Sequence, residues 1–159
     1  MTRAAEAFDD ALHELGLDQT EFEDEERFGR RAALLAASEL LWGRELGPMA
    51  GASQVGELLG CSRQAINERV HRHTILALPA PTGYAFPLFQ FTGSGQTVPG
   101  LSEVIRALSD AVEAPHTIAA WLVAPEPELG GEAPIEMLKR GEADPAVTAA
   151  ERYAERLRQ

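Results

Sequence analysis

Residues 52–72, ASQVGELLGCSRQAINERVHR, constrain the fold of this chain more than any other stretch. Val55, Leu58 and Leu59 recur at helical spacing, and Gly60 follows them as the residue best suited to end a helix with positive φ. Ser62 then offers a hydroxyl to cap a second helix running to about Arg72. Ala65, Ile66 and Val70 form the apolar stripe of that second helix, and Arg63, Gln64, Asn67 and Arg72 fall largely on other faces. Gly56 sits midway along the first helix, where a crossing helix has to approach closely. This is the helix-turn-helix pattern, in which the N-terminal end of the second helix enters the DNA major groove. Arg, Gln and Asn are the side chains that make paired hydrogen bonds with guanine or adenine edges. The expected DNA-binding residues are therefore Ser62, Arg63, Gln64, Asn67, Arg69 and Arg72. An ordinary helical hairpin with a solvated polar face is the plainer alternative.

The next segment reads as a β-hairpin. Residues 74–79 are apolar and β-prone, and Pro81-Thr82-Gly83 is a turn cluster. Residues 84–91 form an aromatic second strand with Tyr84, Phe86 and Leu88 alternating onto one face. Pro87 is expected to confine this strand to a sheet edge. A hairpin directly after a recognition helix is a wing, which rests on the phosphate backbone or simply covers the apolar helix pair.

The charge distribution bears on the partner. The 159-residue chain carries a net charge of −11, which argues against nucleic acid until its placement is considered. Residues 1–30 hold ten acids against Arg3, Arg27 and Arg30; residues 60–100 hold only Glu68 against Arg63, Arg69 and Arg72. The basic patch is small, and phosphate neutralisation supplies most non-specific DNA affinity, so a homodimer is expected. No apolar run is long enough to span a bilayer, so no membrane partner is expected. No signal-peptide core is present, and the single cysteine, Cys61, excludes an intramolecular disulfide and reads as packing in the turn. A cytoplasmic protein is expected. His13, His71, His73 and His116 have no recognised metal-ligand spacing with Cys61, and no nucleophile-elbow or phosphate-loop motif occurs. Neither catalysis nor a cofactor is expected.

The rest of the chain reads as helices around that core. Residues 3–15 form an amphipathic helix with Phe8, Leu12 and Leu15 on one face, and residues 21–26 are an acidic helix start. Residues 28–46 form a longer helix stopped by Gly47-Pro48. Residues 92–96, TGSGQ, read as a flexible connector. A helix over 101–112 follows, with Leu101, Val104, Ile105, Leu108 and Val112 as its stripe, and a short helix from His116 to about Leu122. A loop over 123–131, a helix over 133–140 and a terminal helix over 145–158 complete the chain, with Asp144 as expected N-cap and Val147, Ala150, Tyr153 and Leu157 on one side. The expected architecture is mainly α: an acidic helical region (1–48), a helix-turn-helix with a β-hairpin wing (49–92), and a small C-terminal helical bundle (98–159).

The order of motifs in the last region resembles a known family. Ala120-Trp121-Leu122, the loop Pro125-Glu126-Pro127-Glu128-Leu129-Gly130-Gly131, and Ala133-Pro134-Ile135-Glu136-Met137-Leu138 resemble the toxin-binding domain of Xre/MbcA/ParS antitoxins. The resemblance covers residues 101–157; upstream, the family carries an all-helical DNA-binding region where this chain places a winged motif. It implies an antitoxin that neutralises a RES-domain, NAD-degrading toxin and represses its own operator DNA as a dimer. The toxin-binding residues would be Trp121, Leu129, Gly130, Gly131, Tyr153, Arg156, Leu157 and Arg158, with Tyr153 and Leu157 packed and the last few residues reaching the toxin. The competing expectation is a stand-alone winged transcription regulator whose C-terminal bundle only dimerises.

Overall fold

A computed structural model describes residues 42–80 and 83–159, together with Arg3, Glu6, Ala7 and Asp10. The chain divides into two compact units, Met1–Leu41 and Trp42–Gln159. In the first, Arg3, Glu6, Ala7 and Asp10 are helical and exposed. The apolar face expected over 3–15, the acidic start at 21–26 and most of the helix expected over 28–46 lie outside the described residues.

The second unit begins with helical residues 42–46, which end at Gly47. Strand β1 (Met49–Gly51) leads into α1 (Ala52–Leu59) and α2 (Arg63–His71). Strands β2 (Leu78–Ala80) and β3 (Gly83–Pro87) follow, then α3 (Leu101–Ser109), α4 (Pro115–Val123), α5 (Pro134–Lys139) and α6 (Ala143–Leu157). This is a mainly helical protein with a helix-turn-helix, a small β-hairpin wing and a C-terminal helical region.

The sheet departs from expectation in an instructive way. It is antiparallel with order β1-β3-β2, so β3 is the central strand, not the edge strand that Pro87 implies. Proline is tolerated because it is the last residue of β3, opposite Met49. The ladder resumes one residue later, where the Leu88 N–H donates to the Pro48 carbonyl at 2.9 Å. The strand stops there and residues 88–90 turn as a 3-10 helix, so Leu88 does not continue the face begun by Tyr84 and Phe86. Residues 74–77 are not a strand either. The buried Gln90 side chain takes the place of a strand partner: its Oε1 accepts from the Leu76 N–H at 2.7 Å and its Nε2 donates to the Leu76 carbonyl at 2.8 Å.

Two apolar clusters hold the unit together. Ala50, Val55, Ile66, Ile75, Ala77 and Phe86 form the one beneath the helix-turn-helix and sheet, with Cys61 packed against it as expected. The larger one lies among α3–α6 and reaches back to Leu46, Leu76 and Leu78. The stripe of α3 is buried as its spacing predicts. Of the side expected on α6, Ala150 is buried and Val147 and Tyr153 pack against the cluster at its margin. The fully buried face is Ala146, Ala149, Ala150 and Ala154, small side chains that let α3 pack closely across it. That helix starts at Ala143 with Glu142 as N-cap, so Asp144 lies in its first turn and is not the cap.

The TGSGQ segment is a closed loop with its own ladder, not a loose connector. The Thr92 N–H donates to the Gln96 carbonyl at 2.7 Å and the Gly95 N–H to the Thr92 carbonyl at 3.0 Å. Thr92 Oγ1 meets Ser94 Oγ at 2.9 Å and accepts from the Gln96 N–H at 3.2 Å. Gly95 lies against α1, where an added Cβ would stand 2.4 Å from the Leu58 carbonyl oxygen.

Candidate nucleic-acid interface

The turn between α1 and α2 forms for the reasons its sequence implies. Gln54 Oε1 accepts from the Gly51 N–H at 2.9 Å, closing the start of α1. Gly60 ends the helix at φ 64°, ψ 36°, and the Cys61 N–H returns to the Gly56 carbonyl at 3.0 Å. The close approach expected at Gly56 comes from the turn itself: an added Cβ would lie 2.9 Å from the Cys61 carbonyl oxygen. Ser62 Oγ accepts from the Ala65 N–H at 3.2 Å, capping α2. Leu58, expected inside, is 39% exposed, because Val55 supplies the buried position of α1.

The second helix sorts the candidate DNA-binding residues into two groups. Ile66 is fully buried and Val70 packs against the same cluster, so Arg63, Gln64, Asn67, Glu68, His71 and Arg72 share the outward face. Among the described residues no side-chain hydrogen bond or ion pair occupies Arg63, Gln64 or Asn67. Arg69 lies on the half-buried flank, and its carbonyl accepts from both the N–H and the hydroxyl of Thr74. Arg72 is the C-cap; its guanidinium lies 3.6 Å from the Glu68 carboxylate, both well exposed. Glu68 thus joins the outward face as its one acid, a residue that the search for paired base-reading side chains passes over.

The far end of α2 is tied to α3. Arg106 Nε donates to the Arg72 carbonyl at 3.4 Å, and Ser109 Oγ lies 3.3 Å from His73 Nδ1. His73 is the one non-glycine residue with positive φ among those described, at 55°. Arg106 and Ser109 hold the end of α2 in place, yet they sit more than thirty residues away along the chain and carry no local signal of that contact.

In the helical region, the expected contact residues have different fates. Trp121 is buried, and its Nε1–H donates to Glu126 Oε2 at 3.0 Å. Glu126 is itself buried; its other oxygen accepts from the Glu128 N–H at 3.4 Å, starting the short 3-10 turn Pro127–Leu129. Gly130 and Gly131, at φ 68° and 85°, turn the chain so that the Gly131 N–H reaches the Glu126 carbonyl at 3.0 Å. Leu129 packs against the core, and Tyr153 lies with its ring centroid 5.9 Å from that of Trp121. The ordered WL, LGG and proline-led elements thus close one internal structure around Glu126, a residue with no distinguishing signal in the sequence.

On the outer side, Arg152 and Arg156 both pair with Glu128, and Arg156 also stands over the Tyr153 ring at 5.7 Å. These contacts hold the Glu128 carboxyl below its ordinary range, the Arg156 hydrogen bond first among them. Leu157, expected to be packed, is 50% exposed, and Arg158 is exposed beyond it. Among the described residues no helix is long and apolar enough to cross a membrane.

No protein-family model and no curated protein sequence matches the chain. The NMR structure of Rv2175c is similar to it, with a TM-score of 0.58 at 25% sequence identity, over 67% of this chain and 81% of that one.

Proposed function

We propose that this protein is a transcription regulator that binds duplex DNA sequence-specifically, through the outward face of α2 with the β2–β3 hairpin as its wing. One observation carries this reading. The capped N-terminal half of α2 presents Arg63, Gln64 and Asn67 to solvent, uncommitted to any described residue. Arg is suited to guanine, Gln and Asn to adenine, and Glu68 on the same face to the cytosine amino group. The paired Arg72 and the flanking Arg69 suit phosphate contacts better than base reading. A small basic patch needs a second copy, so a homodimer is part of the proposal, with two α2 helices set for successive major grooves. Such a protein works in the cytoplasm.

The test is selection of binding sites from a random duplex library with the full chain. An enriched site is the expected outcome. Arg63→Ala or Asn67→Ala should each weaken that site relative to random DNA by about 1–3 kcal/mol while leaving the circular dichroism spectrum unchanged. A folded double variant that binds the site as the parent does would remove α2 from the reading role.

The antitoxin is the second reading, and the exposed end of α6 favours it. Leu157 and Arg158 form an apolar-basic tip beside Tyr153 and Arg156, available to a protein partner such as a RES-domain toxin. Trp121, Leu129, Gly130 and Gly131 would then act by shaping the site. Co-expression tests this: removing residues 157–159 should restore toxicity of a RES-domain partner without loss of DNA binding. Full protection by the truncated chain would refute it.

A further inference from the structure

A cavity of about 170 Å³ lies between the C-terminal end of α2, the segment that follows it, and helices α3 and α4. Its walls are apolar, with Val70, Ile75, Ala77, Ile105 and Ile118 among them. Its polar groups are His73, Ser109 and Glu113. Cavities of this size lined by aliphatic side chains take up single-ring ligands; one of about 150 Å³ holds benzene.

The polar groups define the ligand further. Ser109 Oγ donates to the Ile105 carbonyl at 2.7 Å, so its one proton is committed. The contact with His73 Nδ1 at 3.3 Å is then a bond in which the imidazole N–H donates to the hydroxyl oxygen. In the neutral ring this leaves Nε2 as an acceptor, and the exposed Glu113, a carboxylate, lines the same cavity. With His73 neutral, the lining offers acceptors and one carboxylate, Glu113, which suits a cationic head group.

We infer that this cavity is a binding site for a small apolar amine: a single ring or branched chain inside, its ammonium group at Glu113. The site is placed to act on the DNA-reading helix. Val70 and His73 come from the end of α2, and the His73–Ser109 and Arg106–Arg72 bonds that tether this end to α3 border the same region. An ammonium group that donates to the Ser109 hydroxyl oxygen competes with the His73 N–H for it and so alters that tether. The regulatory meaning rests on the DNA-binding reading, whereas ligand binding and its effect on α2 do not.

The test is a titration of the full chain with benzylamine, benzyl alcohol and benzoate, followed by backbone amide NMR without DNA. Saturable shifts are expected at Val70, His73, Ile105 and Ile118, extending to Asn67 and Glu68, with benzylamine the tightest of the three. Glu113→Gln, an exposed change, should weaken benzylamine about fivefold, the effect of losing an exposed charge pair, and leave benzyl alcohol unaffected. Ala77→Leu, which fills the cavity, should abolish the shifts. Benzoate binding as well as benzylamine, an unaltered affinity in Glu113→Gln, or absence of saturable shifts would overturn the site. Shifts that stop short of Asn67 would overturn its link to the reading helix. Failure to select a DNA site would count against the proposed function and leave these measurements standing.

Discussion

Replacing Gly56 by alanine tests the geometry of the turn directly, because two opposing effects can be sized. Inside an ordinary exposed helix, Gly→Ala is stabilising by about 1 kcal/mol, since alanine loses less backbone entropy. At Gly56 the new Cβ would stand 2.9 Å from the carbonyl oxygen of Cys61, a backbone atom that no side-chain rotation can move aside. The same pair of residues is joined by the Cys61 N–H to Gly56 carbonyl bond at 3.0 Å, so relief of the clash strains that bond. Overpacking of this kind costs about 1–3 kcal/mol. The clash therefore exceeds the propensity gain, and a net loss of about 1 kcal/mol is expected, equivalent to about 3 °C in melting temperature. Gly43→Ala provides the control: Gly43 is helical, with nothing near its added Cβ among the described residues, so this change should raise the melting temperature. Because the carbonyl that must yield immediately precedes Ser62, the proposed function implies that Gly56→Ala also weakens binding to a selected duplex. Thermal melts of the three proteins at equal concentration decide the matter. A Gly56→Ala protein that melts above the parent would refute the close approach.

Three further outcomes are expected. Gln90→Leu strands the N–H and carbonyl of Leu76 in the core, so a loss of about 2–5 kcal/mol should appear in urea unfolding; a loss below about 0.5 kcal/mol would mean these groups find other partners. His116, stacked on Trp42 with ring centroids 3.7 Å apart, has its pKa lowered by burial. The unfolded chain thus protonates first, so stability should fall as pH drops below about 6.5 and level off beneath the depressed folded value. His116→Phe should lessen that decline between about pH 7 and 5.5, and an identical slope in the variant would discount it. Arg156→Ala removes the main cause of the lowered Glu128 pKa, so carboxyl NMR should show Glu128 titrating nearer its ordinary range; its contribution to stability, present above that range and lost as pH falls through the depressed value, should shrink too. An unmoved titration would assign the shift to Arg152.

Local chemistry makes the helix-turn-helix legible in the amino-acid sequence. Gly60 supplies the one backbone conformation the turn requires, Ser62 supplies the cap, and the spacing of Ile66 and Val70 orients α2 outward with Arg63, Gln64 and Asn67. All of these act within a few residues of themselves, as does the 3.6-residue period that identifies the buried stripe of α3. The features that the sequence leaves hidden depend on partners distant along the chain. Met49–Gly51 joins the sheet only because β3 folds back thirty-odd residues later, and that pairing makes a proline-ended strand central. Gln90 reads as a polar interruption of an aromatic run until Leu76 meets it. Glu126 reads as one acid among many until Trp121 donates to it, and the alanine face of α6 is chosen by the approach of α3. Periodicity and capping are short-range and are written into the chain locally. Strand order, buried polar pairing and helix rotation are settled by which groups can be satisfied together once distant segments pack, and only the tertiary structure decides them.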